Sequence, residues 1–128
     1  MEGFTPYPPE LVQEYTTRGI WPNRVLGDVL DEAVQRYSES DALVDENTRV
    51  TYREYGERVD RLALGMLDLG LKPGDMLTLQ VPNRVEYCIL FFACAKIGVI
   101  PVLALPQFRS HEMEYILNLT QSAASVEQ

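Results

Sequence analysis

Val99–Leu105 is an unbroken apolar run, Met76–Val81 is nearly one, and the stretch between them, Val85–Ile97, is apolar almost all round. A strand with one face in water alternates apolar and polar residues, whereas a continuous run marks a strand covered on both faces. A helix without a polar face is likewise covered on more than one side. Strand, helix and strand in this order, with connections of a few residues, predict a right-handed crossover and hence a parallel sheet. From Tyr52 onward the sequence predicts α-β-α-β-α, which places the chain in the α/β class: a parallel sheet with flanking helices.

Local signals set the boundaries. Asp28–Tyr37 carries Val29, Leu30, Ala33, Val34 and Tyr37 at helical spacing, with Asp28 favoured by the dipole of the first turn. Ala42–Val44 and Thr48–Thr51 flank Asp45-Glu46-Asn47, which predicts a short N-terminal hairpin. Thr51-Tyr52-Arg53-Glu54 has the capping-box spacing, and the helix behind it presents Tyr55, Val59, Leu62, Ala63, Met66 and Leu67 before Gly70 stops it. Lys72-Pro73-Gly74-Asp75 is a turn, and Asn83, three residues before Glu86, is the expected cap of the apolar helix. Gly98 ends that helix, Ser110 is the expected cap of a last helix over 111–121, and Ser122–Gln128 leads toward a further strand. Residues 1–24, with Pro6, Pro8, Pro9 and Pro22, form an N-terminal extension holding one short helix over 10–18; residues 25–128 form the body.

A chain of 128 residues is one domain's worth and can bury a sizeable core without disulfides. Cys88 and Cys94 are six positions apart on a helix, about 9 Å along its axis, beyond the roughly 7 Å that a disulfide spans. They are expected to be free thiols of a reducing cytosol. Eleven basic against nineteen acidic residues give a net charge of −8, which argues against nucleic acid or an anionic membrane as partner. The N-terminus has no basic and apolar leader pattern, and no apolar run is long enough to span a bilayer, so a cytoplasmic location is expected.

The residues themselves show no self-contained active site. The eight glycines never come closer than four positions, so no loop can wrap phosphates with clustered backbone N–H groups. The lysines are Lys72, in a turn, and Lys96, late in a helix. His111 is the sole histidine, which excludes a His-based metal cluster within the chain; a triad with Ser110 or Ser122 is formally open but lacks a nucleophile elbow. Tyr52, Tyr55, Tyr87, Tyr115, Phe91 and Phe92 are spaced as packing aromatics, and Arg53, Glu57, Asp60 and Arg61 as a solvated helix face with pairs four residues apart.

Several segments nevertheless resemble those of one family. Val50-Thr51-Tyr52-Arg53-Glu54-Tyr55 is similar to the first core motif of adenylate-forming enzymes. Gly70-Leu71-Lys72-Pro73-Gly74-Asp75 and Val81-Pro82-Asn83 with Glu86 resemble the turn and the L-P-N-x-x-E segment that follow, and Lys96–Val102 resembles the second core motif. Phe4-Thr5-Pro6-Tyr7-Pro8-Pro9-Glu10, Tyr15 and Gly19-Ile20-Trp21 resemble the N-terminal extension of aryl-acid AMP ligases of siderophore synthesis, 2,3-dihydroxybenzoate–AMP ligases above all and salicylate–AMP ligases next. The resemblance implies an incomplete N-terminal subdomain of the adenylate-forming fold, belonging to a ligase that uses ATP and Mg²⁺ to form an acyl-adenylate and loads the aryl group on the phosphopantetheine of an aryl carrier protein. The family's catalytic and cofactor-binding residues lie beyond this stretch, so none is assigned here, and this fragment alone is expected to be inactive and to hold no cofactor.

One loop carries a candidate role. Pro101–Pro106 followed by Arg109 resembles a segment that in the subgroup runs on to His-Arg, where this sequence has Gln107-Phe108-Arg109. By resemblance, Pro106, Gln107, Phe108 and Arg109 line the tunnel entrance for the pantetheine arm, with Phe108 as an apolar wall and Arg109 as a phosphate partner; as residues alone they are a plain loop before a helix. The alternative to an enzyme fragment is a free-standing truncated homologue that docks on a carrier protein or ligase. In either case an exposed sheet edge is expected to favour self-association.

Overall fold

In a computed structural model, residues 5–127 are described; residues 1–4, with Phe4 of the N-terminal motif, and Gln128 lie outside them. The extension contains α1 (Pro9–Thr17), which buries none of its residues. Tyr7 and Tyr15 meet Trp21 edge-on, with ring centroids 5.2 and 5.3 Å apart, and form a small aromatic cluster of their own.

The body opens with α2 (Leu26–Tyr37), where the Asp28 carboxylate accepts the Val25 N–H. Strands β1 (Asp41–Val44) and β2 (Arg49–Thr51) pair antiparallel as the expected hairpin. Its turn is held by Asp45, whose Oδ1 accepts the N–H groups of Asn47 and Thr48; the Asn47 bond leads in keeping this carboxyl below its ordinary range.

Helix α3 (Tyr52–Asp68) starts at the expected capping box: Thr51 Oγ1 accepts the Glu54 N–H, and the Glu54 carboxylate accepts the Thr51 N–H at 2.9 Å. It buries Tyr55, Val59, Ala63 and Met66, while Leu67 stays exposed. Strand β3 (Met76–Gln80) follows the Lys72–Asp75 turn, and α4 (Val85–Ile97) follows β3. Arg84, not Asn83, occupies the cap position of α4 and no side chain caps it; Arg84 is still extended, at φ −133° and ψ 174°, so the helix starts one residue later than the Asn83 spacing predicts. Strand β4 (Ile100–Leu103) is shorter than its apolar run, since the last ladder bond is Ala104 N–H to Leu79 O and the chain then turns away. Helix α5 (Ser110–Thr120) begins one residue earlier than expected: Ser110 lies inside it and Arg109 is the cap residue, its N–H accepted by Glu112. The segment after it already forms a strand, β5 (Ala124–Glu127).

The parallel sheet has the order β4-β3-β5, with Met76–Leu79 opposite Ile100–Leu103 and Leu77–Gln80 opposite Ala124–Glu127. Pro101 has no N–H to donate, which suits an edge strand such as β4. Thr78 on the central strand is fully buried, and its hydroxyl bonds Ser122 Oγ, which also bonds Thr120 Oγ1. The core gathers Leu30, Val50, Val59, Leu77, Leu79, Ile89, Ala93 and Val99 between the sheet and the layer of α2, α3 and α4. The crossover through α4 runs from β3 to β4, and the one through α5 runs back past β3 to β5. Right-handed connections in opposite directions put their helices on opposite faces. Helix α5 accordingly buries only Met113 and leaves Tyr115 65% and Leu119 67% exposed, so Tyr115 is not the packing aromatic its spacing suggests.

The expected charge pairs along α3 are replaced by pairs between elements. Arg53 bonds Glu39, and Asp60 joins Asp31 of α2 on the Lys96 ammonium of α4, at 2.5 and 2.6 Å.

Candidate functional site

In an open parallel sheet, a crevice forms beyond the carboxyl ends of two neighbouring strands whose connections leave to opposite faces. Strands β3 and β4 meet that condition, because β3 leads into α4 and β4 into α5. A cleft of about 340 Å³ lies there, lined by Val81, Asn83 and Tyr87 on one side and by Leu103, Ala104, Leu105 and Pro106 on the other. The first wall is the exit of β3 and the first turns of α4; the second is the exit of β4.

Tyr87 is fixed by a run of aromatic contacts into the core. It stacks on Phe91 with centroids 6.5 Å apart, Phe91 meets Phe92 edge-on, and Phe92 meets Tyr55 edge-on at 5.8 Å. The Tyr55 hydroxyl donates to the Cys88 carbonyl at 3.0 Å, and burial raises its pKa, so it acts as a neutral donor that ties α3 to α4. Burial also pushes the Cys94 thiol up to about 11 and raises that of Cys88, which keeps both protonated and poorly nucleophilic. Both cysteines are free.

Of the four loop residues singled out in the sequence, Pro106 lines the cleft. Leu105–Phe108 is a turn closed by Phe108 N–H to Leu105 O, with Pro106 and Gln107 at its tip. Gln107 and Arg109 are exposed, and Phe108 is half-buried. Sequence reasoning missed Gln80, whose side-chain amide reaches this turn from the end of β3. The available signal was a polar residue closing an otherwise buried strand.

The other sequence candidates do not converge. His111 is exposed in the first turn of α5, while Ser122 is bonded to Thr78 and Thr120. Among the described residues, no group of three or more His, Cys, Asp or Glu could hold a metal ion, and no helix is long and apolar enough to cross a membrane. The cleft is mostly apolar and can wall or guide a flexible chain; it contains no nucleophile or base poised for a bond-breaking step.

Comparison with known proteins gives a consistent result. Residues 30–128 match the model of the AMP-binding enzyme family. The chain is similar to a salicylyl-CoA synthase / salicylate adenylyltransferase from a Streptomyces species, with 44% identity over 115 residues, or 90% of this chain and 21% of that protein. It is also similar to the 2,3-dihydroxybenzoate-AMP ligase of Bacillus subtilis, with 37% identity over 126 residues, or 98% of this chain and 23% of that protein. In structure it is similar to apo MbtA of Mycobacterium smegmatis, at a TM-score of 0.89 and 34% identity over 96% of this chain and 23% of that one. The chain thus spans between a fifth and a quarter of the length of the proteins it resembles.

Proposed function

The chain belongs to the AMP-binding enzyme family, and we propose that it is the N-terminal part of an aryl-acid AMP ligase whose substrate is a benzoate with a hydroxyl ortho to the carboxylate, 2,3-dihydroxybenzoate or salicylate. The carrying observation is the 44% and 37% identity, over 90% and 98% of the chain, to a salicylate adenylyltransferase and a 2,3-dihydroxybenzoate-AMP ligase. The 0.89 TM-score likeness over 96% of the chain supports it. A match that long takes in most of residues 1–24 as well as the body. Those two relatives stand beside a triostin synthetase at 42% identity and a hydroxynaphthoate–CoA ligase at 36%.

In this reading the complete ligase uses ATP and Mg²⁺ to convert the carboxylate to an acyl-adenylate with release of pyrophosphate, and passes the acyl group to a carrier-protein thiol as a thioester with release of AMP. Residues 1–24 serve as an extension, supported by the separate Tyr7–Tyr15–Trp21 cluster. Residues 25–128 supply part of the subdomain's framework. The loop Pro106–Arg109 walls the entrance taken by the carrier's phosphopantetheine arm, a role that suits an apolar cleft at the carboxyl ends of β3 and β4.

The test is pyrophosphate exchange by the complete ligase with 2,3-dihydroxybenzoate, salicylate and unsubstituted benzoate. Exchange with an ortho-hydroxylated acid at least ten-fold above benzoate is expected; exchange with none of the three would overturn the reading. Calorimetric titration of the 128-residue chain with Mg-ATP is expected to show no micromolar binding.

A further inference from the structure

Between Ala104, the last residue of the β3–β4 ladder, and Arg109, which is bonded to Glu112 of α5, the loop has few ties. Its one internal backbone bond is Phe108 N–H to Leu105 O. Among the described residues, the hydrogen bonds joining 105–108 to the rest of the protein all come from one group. Gln80 Nε2 donates to Phe108 O at 2.9 Å and to Leu105 O at 3.2 Å, with Pro106 O at 3.5 Å. Only the NH₂ end of an amide can face several carbonyls, and its two hydrogens match the two shorter contacts. The two carbonyls are those of the first and last residues of the turn, so one side chain fixes both of its ends. Gln80 itself is held in the centre of the sheet, opposite Glu127 of β5.

We propose that Gln80 is a positioning residue that clamps the Leu105–Phe108 turn across the mouth of the cleft and sets the loop in the shape that admits the pantetheine arm. This rests on the assignment of that loop in the proposed function. Gln80 touches no reacting atom; it acts through the loop. Loss of two hydrogen bonds of ordinary net strength is expected to shift the closed-to-open ratio of the turn about ten-fold.

Three substitutions separate donation from volume. Gln80→Met keeps length but removes the N–H donors. Gln80→Glu places carboxylate oxygens against carbonyl oxygens. Gln80→Lys restores donors at similar reach. In the 128-residue chain, exchange of the Phe108 amide hydrogen is expected to quicken about ten-fold in Gln80→Met, further in Gln80→Glu, and to return toward wild type in Gln80→Lys. Unchanged exchange in both of the first two variants overturns the clamp. In the complete ligase, the same two variants are expected to raise KM for the carrier protein in acyl transfer about ten-fold while pyrophosphate exchange stays within two-fold of wild type. A quickened Phe108 amide with unaltered carrier KM overturns the positioning role. Absence of pyrophosphate exchange in the wild-type ligase would instead count against the proposed function and leave the exchange result on the clamp standing.

Discussion

Two residue-scale devices lock the start of α3 and the junction of three helices. Thr51 and Glu54 satisfy two backbone donors at the helix N-terminus, so Thr51→Ala is expected to cost about 1 kcal/mol, read as a lower urea midpoint. Bonding to the Thr51 N–H, more than any other contact, lowers the pKa of Glu54. A depressed carboxyl contributes stability that is present above its unfolded pKa and lost as pH falls through the folded one. The gap between wild type and Glu54→Gln is therefore expected to close under acid. In the complete ligase, Thr51→Ala is expected to leave the choice between 2,3-dihydroxybenzoate and salicylate unaltered, because the cap touches no substrate; a shifted preference with an unchanged midpoint would contradict this. Lys96 has the opposite sign. Desolvation pulls its pKa down, but the hydrogen bonds and charges of Asp31 and Asp60 outweigh that and raise it above 10.5. Its side chain is 17% exposed, between aspartate side chains about half exposed. Lys96→Met is expected to cost ~0.5–1 kcal/mol at pH 7. That difference should hold up to the unfolded pKa and fade as pH rises through the folded one. A gap that persists once the lysine is neutral would contradict this charge-based account.

At the scale of elements, two glycines with different surroundings predict opposite outcomes. Gly98 ends α4 at φ +71°, and a Cβ there would stand 3.2 Å from Pro73 Cβ in the turn that leads into β3. The left-handed conformation disfavours any side chain, so Gly98→Ala is expected to destabilise by about 1–2 kcal/mol and to loosen the joint between α4 and β4. Gly65 lies inside α3, and a Cβ there would meet nothing within 4 Å. Gly65→Ala is expected to stabilise by about 0.5–1 kcal/mol, because alanine gives up less backbone freedom on folding. Thermal unfolding of the two variants checks both signs in one experiment.

At the scale of the whole molecule, the parallel sheet presents two strand edges, β4 and β5, on either side of its central strand β3. Leu103 and Leu105 near one edge are 55% and 58% exposed, alongside Tyr115 and Leu119 of α5. Unpaired edges and apolar patches favour contact with other chains, while a net charge of −8 opposes it. The 128-residue chain is therefore expected to self-associate, and more strongly at high salt, where the repulsion is screened within about 3 Å at 1 M. Light scattering at low and high salt checks this; a monodisperse monomer under both conditions would contradict it.

What the sequence determined by itself was local or periodic. The capping box at Thr51, the stops at Gly70 and Gly98, the Asp45 hairpin and the buried strand β3 each depend on residues a few positions apart, and each is found where its pattern places it. Strand β4, expected to be covered on both faces, is instead a half-buried edge strand, because among the described residues no further strand pairs beside it in this sheet. The two expected caps at Asn83 and Ser110 each missed by one residue because cap identity depends on where the chain leaves the extended conformation, and Arg84 and Arg109 are the last extended residues before their helices. The order β4-β3-β5 was left to tertiary structure, since pairing partners compete across the whole chain rather than within a window. That order creates the cleft by sending α4 and α5 to opposite faces. It also brings Gln80 to a turn some 25 residues further along, while the packing of α2, α3 and α4 on one another gathers Lys96, Asp31 and Asp60. Such contacts arise from packing between elements, and no spacing within one element records them.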